Sequence, residues 1–498
     1  MNSIHTIVRY KIILLCTFIL ISSVCYAQNK RKISLAYIIE AVKENSNSAK
    51  EAEVTYRKAK LNYEIYKYSY KPLLKLALRP INYNRNIIQR YLPESNQDIY
   101  RPQQTLFSYG KAIIEQKIGF TGGDLFLYSD ISAYRSFGPN NTRQFTTVPI
   151  GLGYTQKLLG YNSYKWERKI ENLRVKLITP QLAYELEGIS SRACKLFYNI
   201  LTIQKQLDLG KENINICDTI LNHSILLEKL GRLTKSNLLQ LKVEKLKAEQ
   251  QVITLENKLS IAKMELFSFV NFPMDEDIDF EIPNSPKAIT LSVDDVIGYS
   301  LENSQLIQKQ CLEIVLAQQK IDKARKERYA DMSLDLSIGL NQTSDNLSKS
   351  YQSPLRQDVI SVGITIPLID WGFRKKNLKY AEELLHEAIL KKEDIDAKIR
   401  REAHFLYRDY NLHLQTLKLI QENRKLAHTL QKESKERFII GKENLETVLK
   451  ANQHVEEIEL DHIKALGDCW NDYYLLRQYM LYDWERNIKI DLECVQQE

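Results

Sequence analysis

The stretch that decides the fold is the run from Tyr164 to Leu230, which reads YKWERKIENLRVKLITPQLAYELEGISSRACKLFYNILTIQKQLDLGKENINICDTILNHSILLEKL. It is too long and too polar for an ordinary globular helix, and Gly231 follows it directly. A second run of this kind extends from Phe373 to Ile440 and is followed by Gly441. A helix of about 67 residues spans about 100 Å at 1.5 Å per residue. These two runs therefore predict an elongated molecule whose helices cross a cellular compartment.

The two long runs belong to an internal duplication. Residues 33–78 align with residues 291–336 at a constant offset of 258, and residues 153–239 align with residues 363–449 at a constant offset of 210. The offsets differ by 48, so the first copy carries 48 extra residues between its two aligned blocks. Two ungapped alignments in the same order predict one duplicated unit.

Each copy has the same predicted order of opening helix, strand, loop, strand, long helix, glycine turn and return helix. The first copy, residues 28–270, comprises an opening helix at 33–70, strands interrupted by a long insertion at 79–147, a long helix at 163–230 and a return helix at 232–269. A proline-rich linker at 271–288 follows. The second copy, residues 289–498, comprises an opening helix at 291–329, strands at 332–341 and 359–367, a long helix at 373–440 and a return helix at 442–481. The glycines end the long helices because glycine tolerates the left-handed conformation found there.

The strands alternate apolar and polar residues. Residues 334–340 read LDLSIGL, which gives a sheet with one apolar and one polar face. The alternation in the corresponding strand at 74–78 is weaker, and Pro80 is expected to end that strand early. The pattern fits both a soluble sheet and a barrel strand with lipid on one side and water on the other. The insertion at 79–147 is compatible with an extra strand pair and with a surface loop.

The N-terminus reads as a secretory signal peptide over residues 1–27, with Arg9 and Lys11 before an apolar core and a cleavage site after Ala27. A lipoprotein signal ending at Cys25 is the alternative. Beyond Ala27 no apolar run approaches the ~18 residues of a membrane-spanning helix. The net charge of +8 falls to +6 on cleavage and is dispersed along helical faces, which favours a solvated surface over nucleic-acid binding.

No motif for catalysis, a cofactor or a metal stands out. The chain lacks the phosphate-binding, serine-hydrolase and zinc-protease signatures. His454 and His462 are eight residues apart, which is not zinc spacing, and both are expected to be exposed on a helix. The sequence therefore predicts a protein that is not an enzyme.

At this point the sequence resembles the TolC-type outer-membrane efflux proteins over nearly the whole mature chain. The resemblance rests on the ordered duplication, on Glu302-Asn303-Ser304, and on Pro367-Leu368-Ile369-Asp370-Trp371-Gly372 where strand meets helix. It implies a mainly α fold with a small β part. Internally duplicated long helical hairpins would form a periplasmic tunnel, and antiparallel strands would contribute to a trimeric transmembrane β-barrel, with four strands per chain and twelve in all.

The resemblance also implies a function and partners. The protein would be a passive exit duct in the outer membrane of a Gram-negative bacterium, for small molecules or for exported proteins. It would form a homotrimer in lipid and work with a periplasmic adaptor protein and an inner-membrane pump, without nucleic acid. The adaptor would dock on the tips, which carry Gly231, Arg232, Gly441 and Lys442. The alternative is a periplasmic coiled-coil scaffold or adhesin stalk without a pore.

The closed end of the tunnel is where the sequence departs from the family. Members commonly carry aspartates just past the second tip, whereas this chain has other residues there. The candidates for lining the aperture are Asn237, Gln240, Glu443, Glu446, Thr447 and Lys450. An acidic, cation-binding constriction is therefore not expected.

Overall fold

The computed structural model of the chain describes residues 31–94, 96–137, 141–158, 160–229, 234–273, 278–328 and 330–490. The predicted signal peptide, the alternative lipidation site at Cys25 and the tip residues Gly231 and Arg232 lie outside these ranges. The chain divides into two compact units. Of the described residues, the helical unit comprises those within 31–55, 180–304 and 399–490, and the sheet unit comprises those within 56–179 and 305–398.

The helices follow the predicted order. They are α1 (Leu35–Asn45), α2 (Asn47–Ser69), α3 (Ser163–Lys229), α4 (Lys235–Val270), α5 (Val293–Asn303), α6 (Gln305–Lys326), α7 (Phe373–Ile439) and α8 (Leu445–Met480). Both α3 and α7 are unbroken over 67 residues and contribute residues to both units. Within the helical unit, the side chains of Phe197, Leu266 and Leu476 are fully or almost fully buried. Apolar stripes on long helices therefore pack against each other, as the sequence periodicity predicts.

Each opening helix is divided in two, where the sequence predicted one continuous helix. The first division is at Ser46, which is fully buried and has an extended backbone. Its hydroxyl accepts a hydrogen bond from the backbone N–H of Ala49 at 3.1 Å and so begins α2. The second division is at the matching residue Ser304. A serine that offers its own acceptor to the backbone competes with the helical ladder, which explains the break.

The predicted linker at 271–288 makes several contacts with the rest of the helical unit. A short strand, β6 (Ile278–Phe280), pairs in parallel with β1 (Arg31–Ile33). Further along, the Trp470 indole N–H donates to the Asn284 carbonyl at 2.9 Å. The proline-rich linker is thus fastened to the helical unit by backbone pairing and by a side-chain donor, contacts that sequence composition does not reveal.

The sheet unit contains one antiparallel sheet of six strands. They are β2 (Leu73–Leu92), β3 (Gln97–Ile118), β4 (Gly123–Phe137), β5 (Thr142–Lys157), β7 (Asp331–Ser344) and β8 (Leu355–Thr365), in the order β2-β3-β4-β5-β7-β8. A separate two-stranded hairpin, β9 (Tyr482–Asp483) and β10 (Ile488–Lys489), follows α8. The insertion therefore adds a strand pair to the sheet, and the expectation of four strands per chain is wrong. No helix among the described residues has the length and apolar character needed to cross a membrane.

Pro80 does not end its strand, contrary to expectation. Strand β2 continues to Leu92, and the register with β3 shifts between Arg79 and Asn82. The Ser108 hydroxyl donates to the Pro80 carbonyl at 2.7 Å across this irregularity. Proline is tolerated at a bulge in an edge strand because its missing N–H interrupts no ladder hydrogen bond there.

The sheet has one apolar and one polar face, as the alternation predicted. Residues opposite each other in neighbouring strands share a face, so the register traces each face across all six strands. The apolar face carries Leu74, Leu76 and Leu78 of β2, Ile114 of β3, Leu125 and Leu127 of β4, Leu152 of β5, Leu334, Leu336 and Ile338 of β7, and Ile360, Val362 and Ile364 of β8. Several of these are more than half exposed, among them Leu74 at 69% and Ile360 at 76%. A contiguous exposed apolar surface of this kind marks a contact with lipid or protein.

Candidate functional site

The second helix tip is a left-handed glycine turn. Gly441 has φ of +73° and directly follows the end of α7 and its last turn. The N–H of Lys442 donates to the Arg437 carbonyl at 2.9 Å, and the N–H of Gly441 donates to the Phe438 carbonyl at 2.9 Å. This pair of bonds is the Schellman arrangement, which satisfies carbonyls that the end of a helix leaves without partners. The turn leaves Lys442 exposed at the tip.

An apolar cluster holds the ends of four helices together behind the tips. It consists of Ile220 of α3, Leu241 of α4, Phe438 of α7, and Leu445 and Val448 of α8. All five side chains are at most 6% exposed. The first turn, whose residues 230–233 are not described, lies between α3 and α4. The cluster therefore brings the described ends of α3, α4, α7 and α8 together.

Side-chain caps begin both return helices. The Thr234 hydroxyl accepts from the backbone N–H of Asn237 at 3.3 Å. In the second copy, the Asn444 side-chain oxygen accepts from the backbone N–H of Thr447 at 2.8 Å and from its hydroxyl at 2.8 Å. Two aperture candidates, Asn237 and Thr447, are thus first-turn residues whose backbone N–H is used by a cap. Their half-buried positions leave limited side-chain area for solute.

The charged aperture candidates neutralise one another in part. The Lys450 ammonium lies 2.7 Å from the Glu446 carboxylate, one helical turn away, and both side chains are about 70% exposed. The Lys450 ammonium donates a hydrogen bond to the Glu446 carboxylate and so lowers the pKa of this carboxyl. Gln240 is exposed and Glu443 is half-buried. A paired carboxylate presents a weaker field to a passing cation than a free aspartate does.

Further from the tips, one buried carboxylate forms ion pairs that connect three helices. Glu459 of α8 is 2% exposed and accepts from Lys205 of α3 at 2.8 Å, from His428 of α7 at 2.7 Å and from Arg424 of α7. Burial alone would raise the pKa of this carboxyl, but the three donors lower it to about 2. Nothing in the sequence pattern distinguished Glu459 from the neighbouring acids, because its partners lie on other helices.

A second buried network lies in the helical unit near β9. Arg477 of α8 contacts Glu187 of α3 at 3.1 Å and Asp483 of β9, and Lys43 of α1 contacts Glu187 at 3.2 Å. All four side chains are at most 10% exposed. The lysine and the arginine together hold the pKa of Glu187 below its ordinary value despite complete burial. The network joins three helices and the final hairpin, so it sets their mutual register.

One histidine differs from expectation. His462 is only 9% exposed, whereas the sequence predicted an exposed position. Its pKa is lowered by burial and by the nearby charges of Arg424 and Lys205, although Glu459 opposes that effect. The imidazole is therefore neutral at physiological pH. Its helical stripe is shared with Val455 and Ile458, a signal that identifies this face as buried. Among the described residues, no group of three or more potential ligands is arranged to hold a metal ion.

Part of the chain matches the sequence model of a known protein family. Residues 296–480 match the model of the family described as outer membrane efflux protein. No curated protein matches the sequence.

Three solved outer-membrane channels have a similar fold. The outer-membrane channel OprN is 12% identical, with a TM-score of 0.64 and coverage of 91% of this chain and 90% of its own. The Campylobacter jejuni CmeC outer membrane channel is 13% identical, with a TM-score of 0.63 and coverage of 91% and 88%. The Neisseria gonorrhoeae MtrE outer membrane channel is 13% identical, with a TM-score of 0.58 and coverage of 90% and 88%. At these identities the likeness shows the fold. The chain therefore matches the outer membrane efflux protein family over residues 296–480 and has the fold of these outer-membrane channels over nearly its whole length.

Proposed function

We propose that three copies of this chain form a passive exit duct for a tripartite efflux or type I secretion system. In this proposal the sheets of three copies close a barrel in the outer membrane. The helices of the two repeats, residues 28–270 and 289–498, form the periplasmic tunnel. An inner-membrane pump supplies the energy, and a periplasmic adaptor joins the pump to the duct. The solutes are small toxic molecules or exported proteins.

The observation that carries the proposal is the sheet with one exposed apolar face and one polar face. An antiparallel sheet in lipid must have its backbone groups paired at both edges, because hydrocarbon offers no hydrogen bonds. A single sheet with two open edges does not meet that condition, whereas a ring of copies does. The polar face supplies a wet lining, and the apolar face supplies the lipid contact.

We propose the tips as the adaptor contact. Gly441 and Lys442 are exposed at the end of a helical hairpin, and the apolar cluster behind them holds the surface in place. Gly231 and Arg232 occupy the equivalent position in the first copy. The aperture candidates follow within about three helical turns of these tips, a distance at which docking and opening can be coupled.

Two measurements test the proposal. Outer-membrane fractions should contain a heat-modifiable trimer, and the purified protein should conduct ions across a planar bilayer. A chain that stays monomeric and non-conducting would support the scaffold or stalk alternative.

Replacing both tip glycines with proline should abolish export without reducing the amount of trimer in the membrane. The matched control is Gly298→Ala in α5, where an added Cβ meets nothing within 4 Å. Export that survives the double substitution would show that the tips are not the adaptor contact.

A further inference from the structure

We infer that the inserted hairpin of β3 and β4 is part of the channel wall. Each copy then offers the outer edges of β2 and β8 to neighbouring copies, and three copies close a barrel of eighteen strands. This inference rests on the proposed trimeric channel and changes the width of its pore. Three copies with four strands each would make twelve strands, whereas three copies of the observed six-stranded sheet make eighteen.

The hairpin is paired along both sides, with one register shift in each flanking ladder. Strand β3 pairs with β2 from Glu115 to Gln97, and strand β4 pairs with β5 from Asp124 to Ser136. The two strands of the hairpin also pair with each other without a register shift. A surface loop or plug would leave β2 beside β5, as β7 lies beside β8. The register instead separates β2 from β5 by two full strands.

The side chains of the hairpin fit the strand beside it. The rings of Phe126 and Tyr128 on β4 lie over Gly153 and Gly151 on β5, and a Cβ at either glycine would overlap a ring. Rings that cover strand glycines help to fix a sheet in one register.

The two faces continue through the hairpin. On β3, Lys111 lies opposite Asp130 of β4 on the polar face, and its ammonium lies 4.3 Å from the centre of the Tyr128 ring. On the other face, Ile114 lies opposite Leu127. The apolar side of the hairpin thus continues the apolar face of the flanking strands. A barrel strand in contact with lipid needs such an apolar side, whereas a plug inside the barrel does not.

The outer edges suit a second copy of this chain. Among the described residues, β2 pairs only with β3 and β8 pairs only with β7. Six alternating strands make β2 and β8 antiparallel to each other, so β8 of one copy can continue the antiparallel ladder with β2 of the next. Their apolar sides also match, with Leu76 at 68% exposure and Val362 at 52% on the same face. Hydrogen bonding edge to edge would complete both ladders.

The consequence is a wider pore at the outer membrane. Barrel diameter grows roughly linearly with strand number, so eighteen strands give a diameter about 1.5 times that of twelve. The cross-section then rises by roughly twofold, before the rings on the polar face reduce it. Barrels of this strand number leave an aqueous channel.

The test counts wall strands in the purified assembly. The control is a deletion of residues 87–134, which removes 48 residues and leaves 135–141 as the loop from Asn86 to Thr142. Asn84 and Thr142 lie in one row of the sheet through Thr105 and Ser136, so this loop closes a hairpin at matched height. Electron cryo-microscopy at a resolution that separates strands should show eighteen strands in the full chain and twelve in the deletion.

Twelve strands in the full chain would overturn the inference and leave the proposed channel intact. A pore-free monomer would instead overturn the proposed function. If the deletion does not fold, Leu76→Cys with Ala112→Cys decides, because these residues are opposite each other in β2 and β3. Oxidation should link the two within one chain of the membrane-inserted protein, and mass mapping should find that link. Its absence would mean that β3 is not beside β2.

Discussion

The ion pairs of Glu459 with Lys205, Arg424 and His428 predict that replacing this carboxylate lowers the stability of the protein in a pH-dependent way. The ordinary pKa of this carboxyl is 4.5, and Lys205, Arg424 and His428 lower it to about 2. One pKa unit corresponds to about 1.4 kcal/mol, so the charged form stabilises the folded protein by ~3 kcal/mol at neutral pH. We expect Glu459→Gln to lose most of this amount, because glutamine keeps the shape but not the charge that the three donors require.

The sign of the pH dependence follows from the lowered pKa. A carboxyl with a lower pKa in the folded state stabilises the protein fully above pH 4.5, and this contribution is lost as the pH falls towards 2. The difference in unfolding free energy between wild type and Glu459→Gln should therefore be largest at pH 7. At pH 3 it should shrink to less than half, since the unfolded state is already protonated there.

Thermal unfolding followed by circular dichroism at 222 nm measures this difference in the detergent-solubilised protein. A loss of ~3 kcal/mol should lower Tm by roughly 5 °C at pH 7. The matched control is Glu446→Gln, which removes an exposed carboxylate whose lysine partner is also exposed and should leave Tm unchanged. Equal Tm values for Glu459→Gln and wild type at pH 7, or a difference that stays constant down to pH 3, would refute the reasoning.

Three further predictions concern other parts of the molecule. Gly151→Val should abolish the heat-modifiable trimer, because the added side chain overlaps the Tyr128 ring. Adding Tyr128→Ala should restore the trimer. If the double variant still forms no trimer, the overlap with the Tyr128 ring is not the cause of the defect. Arg477→Met should lower the unfolding free energy by ~3–5 kcal/mol, since Asp483 stays buried without its cation and Glu187 keeps only Lys43, and an unchanged unfolding free energy would contradict this. Glu446→Gln should leave block of bilayer conductance by polyvalent cations unchanged, because Lys450 already occupies this carboxylate, whereas weaker block would place it in the aperture.

The sequence by itself determined the order of elements and the two long helices. Helical periodicity and strand alternation are local patterns, so α3, α7 and the two faces of β7 could be predicted from neighbouring residues alone. The left-handed turn at Gly441 was predictable for the same reason, since only a few residue types adopt that conformation readily. The tip glycine and its helix ends are thus properties of short stretches of chain.

Only the tertiary structure decided what depends on residues far apart in the chain. The insertion is a strand pair within the sheet because β3 pairs with β2 and β4 pairs with β5, and no local sequence signal identifies the partner of a strand. Pro80 lies within a strand because that strand is at an edge, which the sequence around it cannot specify. Glu459 resembles its neighbouring acids in sequence, yet it alone meets donors from two other helices. Burial and charge pairing arise from the packing of several elements at once, and this is why these features emerged only in three dimensions.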